Sequence, residues 1–222
     1  MMARFHDRSE GGRQLAAALR HYAHRPDVVV LGLPRGGVPV AAEVARELGA
    51  PLDVFIVRKL GLPWNPELAM GAVARGGVRV LDQDLIRVAG VSEDDVKRVT
   101  AAETAELERR ERAYRGSRPF PDVHGKTAIL VDDGLATGSS MRAAVRAIRE
   151  ENPARVVVAV PVAAAETCEA LREIADEVIC VETPEPFTAV GVWYEDFSPT
   201  TDEEIQTLLE NAHATADRGA RS

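Results

Sequence analysis

The sequence is 222 residues long and 45% hydrophobic, with a net charge of −8 at pH 7. That length supports one full core, and no run approaches the roughly 18 consecutive apolar residues of a membrane-spanning helix. The acidic balance argues against a general nucleic-acid binder, which sets basic surface against phosphates, yet leaves room for a local basic pocket around a small polyanion.

In chain order, the opening MMARFHDRSEGG lacks the apolar centre of a signal peptide. Gly11 to Tyr22 reads as a short helix with Leu15, Ala18, Leu19 and Tyr22 on one side. Val28 to Leu33 is a continuous apolar strand that ends in Gly32-Leu33-Pro34-Arg35-Gly36-Gly37. The helix after it turns Val38, Ala41, Ala45 and Leu48 inward and stops at Gly49. A second strand, Val54 to Val57, is closed by Arg58 and Lys59. Gly76-Gly77, between Ala72-Val73 and Val78 to Val80, predicts a hairpin. Ser92 to Arg112 reads as a charged, solvated helix projecting from the body, with Ser92 and Asp95 at capping-box spacing. Val96, Val99, Leu107 and Tyr114 give it only a narrow apolar stripe.

The core resumes at AILVDDGLATGSS, Ala128 to Ser140: an apolar strand, two adjacent carboxylates, then a small hydroxyl-rich turn. The helix that follows places Met141, Ala144, Val145 and Ile148 inward. A strand at Val156 to Val160, a helix carrying Ala164, Cys168, Leu171 and Ala175, and a strand at Val178 to Val181 complete the alternation. Cys168 and Cys180 fall in apolar stretches and read as buried free thiols in a reducing compartment, which makes the chain cytoplasmic. An aromatic cluster (Phe187, Trp193, Tyr194, Phe197) precedes a last helix, begun by Thr201 with Glu204 at capping-box spacing. Strands alternating with helices predict an α/β fold, an open parallel sheet of about five strands with flanking helices.

In such sheets ligands bind outside the carboxyl ends of the strands, and three ends here carry unusual chemistry. Asp132 and Asp133 can accept hydrogen bonds from a vicinal diol or help hold a hard cation. Ala136-Thr137-Gly138-Ser139-Ser140 opens a helix, where free N–H groups, the dipole and the hydroxyls favour a phosphate. Acids that merely end a strand and a hydroxyl that merely caps a helix are the plainer reading of either element alone. Arg35-Gly36-Gly37 lets backbone N–H groups converge on an anion beside a planar cation, and Arg58-Lys59 adds two more cations. The glycines match neither Gly-x-Gly-x-x-Gly nor a Walker loop, and the five histidines show no metal-ligating spacing. A ribose with a 5′-phosphate and a 1-diphosphate satisfies all three ends.

From about Val28 to Phe197 the sequence resembles the type I phosphoribosyltransferase family. VDDGLATGSS is similar to that family's motif for phosphoribosyl diphosphate (PRPP), LPRGG to its diphosphate loop, and RKLGLPWNPELAMGAV to the hairpin after its second strand. The resemblance implies that Asp132 and Asp133 contact the ribose hydroxyls and that Ala136, Thr137, Gly138, Ser139 and Ser140 wrap the 5′-phosphate. It implies that Arg35, Gly36, Gly37, Arg58 and Lys59 handle diphosphate, with Mg²⁺ carried in on PRPP near Asp132 and Asp133. No catalytic side chain is assigned; Arg58 and Lys59 are candidates to stabilise the departing diphosphate.

PFTAVGVWYEDF resembles the family's base-covering hood, offset by one residue, which makes Phe187, Val190 and Trp193 candidates to meet the base. Ala136 stands where the purine 6-oxo members carry an aspartate, so the resemblance leaves the acceptor unnamed. One domain is expected over 1–214, with a helical insertion at 92–118, a hood at 182–200 and a flexible tail at 215–222. The partners expected are PRPP, a nitrogenous base or amine and a second copy of the chain, with neither membrane nor nucleic acid. A non-catalytic sensor of PRPP or nucleotides on the same fold is the alternative.

Overall fold

Runs that are apolar at every position need cover on both faces, and this chain makes them the centre of a parallel sheet. The computed structural model describes residues 4–219. Helix α1 (Arg8–Ala18) leads into β1 (Val28–Gly32), α2 (Gly37–Leu48) and β2 (Leu52–Val54). Next come β3 (Val57–Leu62), β4 (Asn65–Ala74), β5 (Arg79–Leu81), α3 (Gln83–Ala89) and α4 (Glu93–Arg115). The remainder is β6 (Thr127–Val131), α5 (Ser139–Arg149), β7 (Arg155–Val162), α6 (Ala165–Arg172), β8 (Glu177–Glu182) and α7 (Asp202–Gly219).

Five strands pair in the order β2-β1-β6-β7-β8, all parallel, which is the sheet the alternation predicts. β1 and β6 run in register from Val28 opposite Thr127 to Gly32 opposite Val131, and every residue of both is buried. Side chains alternate between two cores: Val28 and Val30 join Leu15, Val44 and Leu209 on one face. Val29 and Leu31 join Met141, Ile148 and Leu171 on the other. From β1 the chain moves outward to β2, then returns to the opposite side of β1 as β6. That reversal makes the β1–β6 boundary the switch point, the place where sheets of this kind bind ligands.

Two expectations for the stretch after β1 are corrected and one is met. The apolar run Val54 to Val57 serves two sheets, not one: β2 ends at Val54, and Val57 opens an antiparallel sheet β3-β4-β5 by pairing with Ala74. Arg58 and Lys59 therefore lie inside a ladder, opposite Val73 and Ala72, and do not cap a parallel strand. The predicted hairpin at Gly76-Gly77 is present, joining β4 to β5 with Val73 opposite Arg79.

The charged helix does not project. Ser92 caps α4, its Oγ accepting from the Asp95 N–H at 3.1 Å, but Val96, Leu107, Tyr114 and Arg115 are buried against the core. Arg115 Nε donates to buried Asp53 at 3.0 Å, and the Tyr114 hydroxyl donates to Asp202 at 2.7 Å, so the narrow stripe is reinforced by polar ties that periodicity does not display.

Cys168 and Cys180 are joined as a disulfide rather than free, because α6 packs on β8 and brings positions 12 residues apart face to face. Thr201 caps α7, accepting from the Glu204 N–H at 3.1 Å. That helix continues through Gly219, into the stretch read as a tail, while residues 220–222 lie outside those described. Among the described residues no helix is long and apolar enough to cross a membrane.

Candidate active site

The two strands that flank the switch point leave the sheet still tied: the Leu33 N–H donates to the Val131 carbonyl at 2.8 Å. Just beyond, the Leu33–Gly37 turn folds down onto the acid pair. A Cβ at Gly36 would lie 1.9 Å from Asp133 Oδ2, and one at Gly37 would lie 2.6 Å from the Val131 carbonyl oxygen. Gly36 has an ordinary helical φ of −62°, so closeness of approach, not conformational freedom, requires glycine there. Arg35 stands exposed at the tip of this turn, after a cis Pro34–Arg35 bond.

Asp132 and Asp133 sit side by side, with the Asp133 N–H donating to Asp132 Oδ1 at 2.9 Å. Burial pushes the Asp132 carboxyl well above the usual carboxylate range, and the neighbouring Asp133 charge pushes the same way. Burial also raises Asp133, against the pull of Arg8, whose Nε donates to Asp133 Oδ2 at 2.9 Å. Arg8 is itself fixed by a 2.7 Å hydrogen bond to the Ser198 carbonyl and by stacking 4.0 Å above the Phe197 ring. The Tyr194 hydroxyl donates to the Asp133 carbonyl at 2.6 Å, and burial raises its phenol.

The hydroxyl-rich turn forms a cup at the start of α5. Gly138 is left-handed at φ 65°, and a Cβ there would meet Thr167 Cγ2 at 2.6 Å, so both backbone and space demand glycine. Thr137 and Ser139 are exposed with their hydroxyls 3.3 Å apart, and the first N–H groups of α5 have no partner within the helix. From outside, Thr167 Oγ1 donates to the Ala136 carbonyl at 2.5 Å, and Arg142 donates to the Thr137 carbonyl at 2.8 Å. Beside the cup runs an open groove of about 830 Å³, bounded by Ala136 and Thr137, the start of α6 and the segment 184–188.

These contacts set Gly36 and Gly37 on Asp132 and Asp133, with Arg35 exposed at the tip of the same turn and the turn 136–140 following the acid pair in the chain. A sequence model of the phosphoribosyl transferase domain matches residues 5–65 and 61–196. The chain belongs to the phosphoribosyl transferase family. A Mycobacterium tuberculosis protein, provisionally named as a phosphoribosyl transferase and recorded from two strains, is 44% identical over 220 residues, 99% of this chain and 49% of its own length. The chain thus spans about half the length of the curated relatives it matches. The crystal structure of TT1426 from Thermus thermophilus is 47% identical, covers 94% of this chain and 98% of its own, and superposes with a TM-score of 0.83. The AQ2163 protein of Aquifex aeolicus, 14% identical over 83% of this chain and 76% of its own, shares the fold at a TM-score of 0.50.

Other residues singled out from the sequence of this phosphoribosyl transferase domain lie elsewhere. Arg58 donates to Glu103 Oε2 at 2.7 Å, tying β3 to α4, and Lys59 is exposed on the same strand. Phe187 lines the groove. Val190 packs against the acid loop, since a Cβ at Gly134 would meet its Cγ1 at 2.5 Å. Trp193 is 9% exposed in a small core with Phe5, Val162 and Tyr194, so it builds the hood and does not face the groove. Arg8, Thr167 and Tyr194 were not readable as site residues. Arg8 follows a capping Asp7 and looks like any charge on a first turn, and no local pattern points Thr167 at a loop 31 residues away.

Proposed function

We propose that this chain moves the 5-phosphoribosyl group from PRPP to a nitrogenous base or amine and releases diphosphate. The observation that carries the reading is the packing of the Arg35-Gly36-Gly37 turn onto Asp132 and Asp133, beside the hydroxyl cup, at the switch point of the sheet. A ligand spanning these elements is anionic at both ends and bears a diol between them.

In this reading Thr137, Ser139 and Ser140 donate hydroxyl and N–H groups to the 5′-phosphate. Asp132 and Asp133 accept from the ribose 2′- and 3′-hydroxyls, with Arg8 and Tyr194 holding the pair in place. Arg35 and the Gly36 amide meet the diphosphate, while Gly37, whose N–H donates to the Leu33 carbonyl at 3.0 Å, lets the turn come close. The acceptor lies in the groove against Phe187. As its nitrogen lone pair bonds to C1 the bond from C1 to diphosphate breaks, and the leaving group takes the electron pair. The protein contributes alignment, donors set where negative charge develops, and shelter from water.

Among the described residues no group of three or more His, Cys, Asp or Glu could hold a metal ion. The acid pair suits Mg²⁺ bound chiefly by the phosphates of PRPP with one or two carboxylates nearby. When bound, such an ion supplies charge neutralisation on the diphosphate. Arg58 joins the diphosphate only where its pair with Glu103 opens, and Lys59 is exposed beside it.

Replacing both acids, Asp132→Asn with Asp133→Asn, is expected to weaken Mg²⁺–PRPP binding at least tenfold in a calorimetric titration. Unchanged affinity would remove these residues from the site. Diphosphate release on addition of a base to the wild-type protein separates a transferase from a sensor, which would bind PRPP without turnover.

A further inference from the structure

The groove beside the phosphate cup has a chemical character of its own. Apolar surface comes from Ala136 and Phe187, and the polar side chains on its walls are Thr137, Thr188, Glu166 and Glu185. No lysine, arginine or histidine lines it among the described residues. Many acidic side chains among the described residues are paired: Glu103 with Arg58, Glu106 with two arginines, Glu177 with Arg155, Asp53 with Arg115. Glu166 and Glu185, like the exposed Glu150 and Glu173, are not. Both are exposed at the groove, and neither has a hydrogen-bond or ion-pair partner among the described residues.

An acceptor carrying its own carboxylate would enter a groove lined by two unpaired carboxylates with no cation on its walls to offset them, and like charges repel. An acceptor with amino hydrogens would find two strong acceptors for them. Phe187, half-buried on the wall, offers its ring to a flat heterocycle. We propose that the groove selects an uncharged or cationic, amino-bearing aromatic heterocycle and rejects acceptors that carry a carboxylate, with Glu166 and Glu185 as the specificity-determining residues. This rests on reading the adjoining loops as a PRPP site.

Two matched pairs of probes test it: nicotinamide against nicotinate, and adenine against hypoxanthine. Each is titrated calorimetrically into the wild-type protein saturated with ribose 5-phosphate, which cannot react. The expected result is at least tenfold tighter binding of nicotinamide and of adenine than of their counterparts. The double variant E166Q with E185Q is expected to bring nicotinamide and nicotinate within about threefold of each other. E169Q, which removes a charge on the same helix that is paired with Arg172 outside the groove, is expected to leave the wild-type ratio. Equal or reversed affinities within either pair, a double variant with the wild-type ratio, or failure of all four probes to bind overturns the proposal. A separate titration of the wild-type protein with Mg²⁺–PRPP reports on the underlying reading: PRPP binding without the expected selectivity sinks the acceptor proposal alone, and absence of PRPP binding sinks the site itself.

Discussion

Two half-buried carboxyls beside one guanidinium leave the acid pair with an excess of negative charge, and Asp132 bears most of the burden. Its folded-state pKa lies above its unfolded value, so between the two the native state holds a proton that the unfolded chain has lost. Stability associated with Asp132 is therefore fully present below the unfolded pKa and is lost as pH rises through the folded one. Asp132→Asn is expected to raise the melting temperature at pH 7.5 by roughly 2–4 °C, the shift about 1 kcal/mol gives in a domain of this size. The gain should shrink at pH 4, and calorimetric scans at both pH values check it. A ligand-binding acid held at a cost to the apo protein is what such a result would mean. Gly36 makes the opposite kind of residue-scale prediction. Its Cβ would overlap Asp133 Oδ2, so Gly36→Ala must displace either the turn or the acid. A loss of about 1–3 kcal/mol in denaturant unfolding is expected, together with weakened PRPP binding. Unchanged stability would mean that the turn does not rest on the acids.

Among the elements, β1, β6 and β7 were legible because their burial is written as unbroken apolar runs, and α2 and α5 because their stripes are wide. Where one run served two purposes, legibility stopped. Val54 to Val57 is uniformly apolar, yet Val54 completes one sheet and Val57 starts another, and nothing in VFIV marks the change. The helix α4 was legible in its cap and its length but not in its packing. Its attachment depends on Arg115 reaching Asp53 and Tyr114 reaching Asp202, contacts across 62 and 88 residues. The two loops of the site were legible as chemistry, whereas Arg8 and Thr167, which hold them, belong to helices with no local sign of that task. The cysteines failed for the same reason, since pairing follows from how α6 lies on β8. The structure predicts that a thiol reagent in denaturant finds no free cysteine without reductant and two after reduction. Reduction should lower stability by about 3 kcal/mol through release of the short loop between them. Two thiols titrating before reduction would restore the reading as free cysteines.

At the scale of the whole molecule, an acidic chain of net charge −8 gathers the groups proposed to hold PRPP at one point, the place where strand order reverses. The turn after β1 and the acid pair and cup after β6 come from stretches about 100 residues apart, yet Gly36 touches Asp133. Such an arrangement binds best what engages both halves at once, since joining two weakly held fragments makes the second contact intramolecular. The direct test is a set of calorimetric titrations, with Mg²⁺ present throughout, of PRPP, ribose 5-phosphate and diphosphate into the wild-type protein. PRPP is expected to bind at least about 100-fold more tightly than either fragment. PRPP binding no tighter than ribose 5-phosphate would overturn the proposed site, because the turn bearing Arg35, Gly36 and Gly37 would then contribute nothing to holding the ligand.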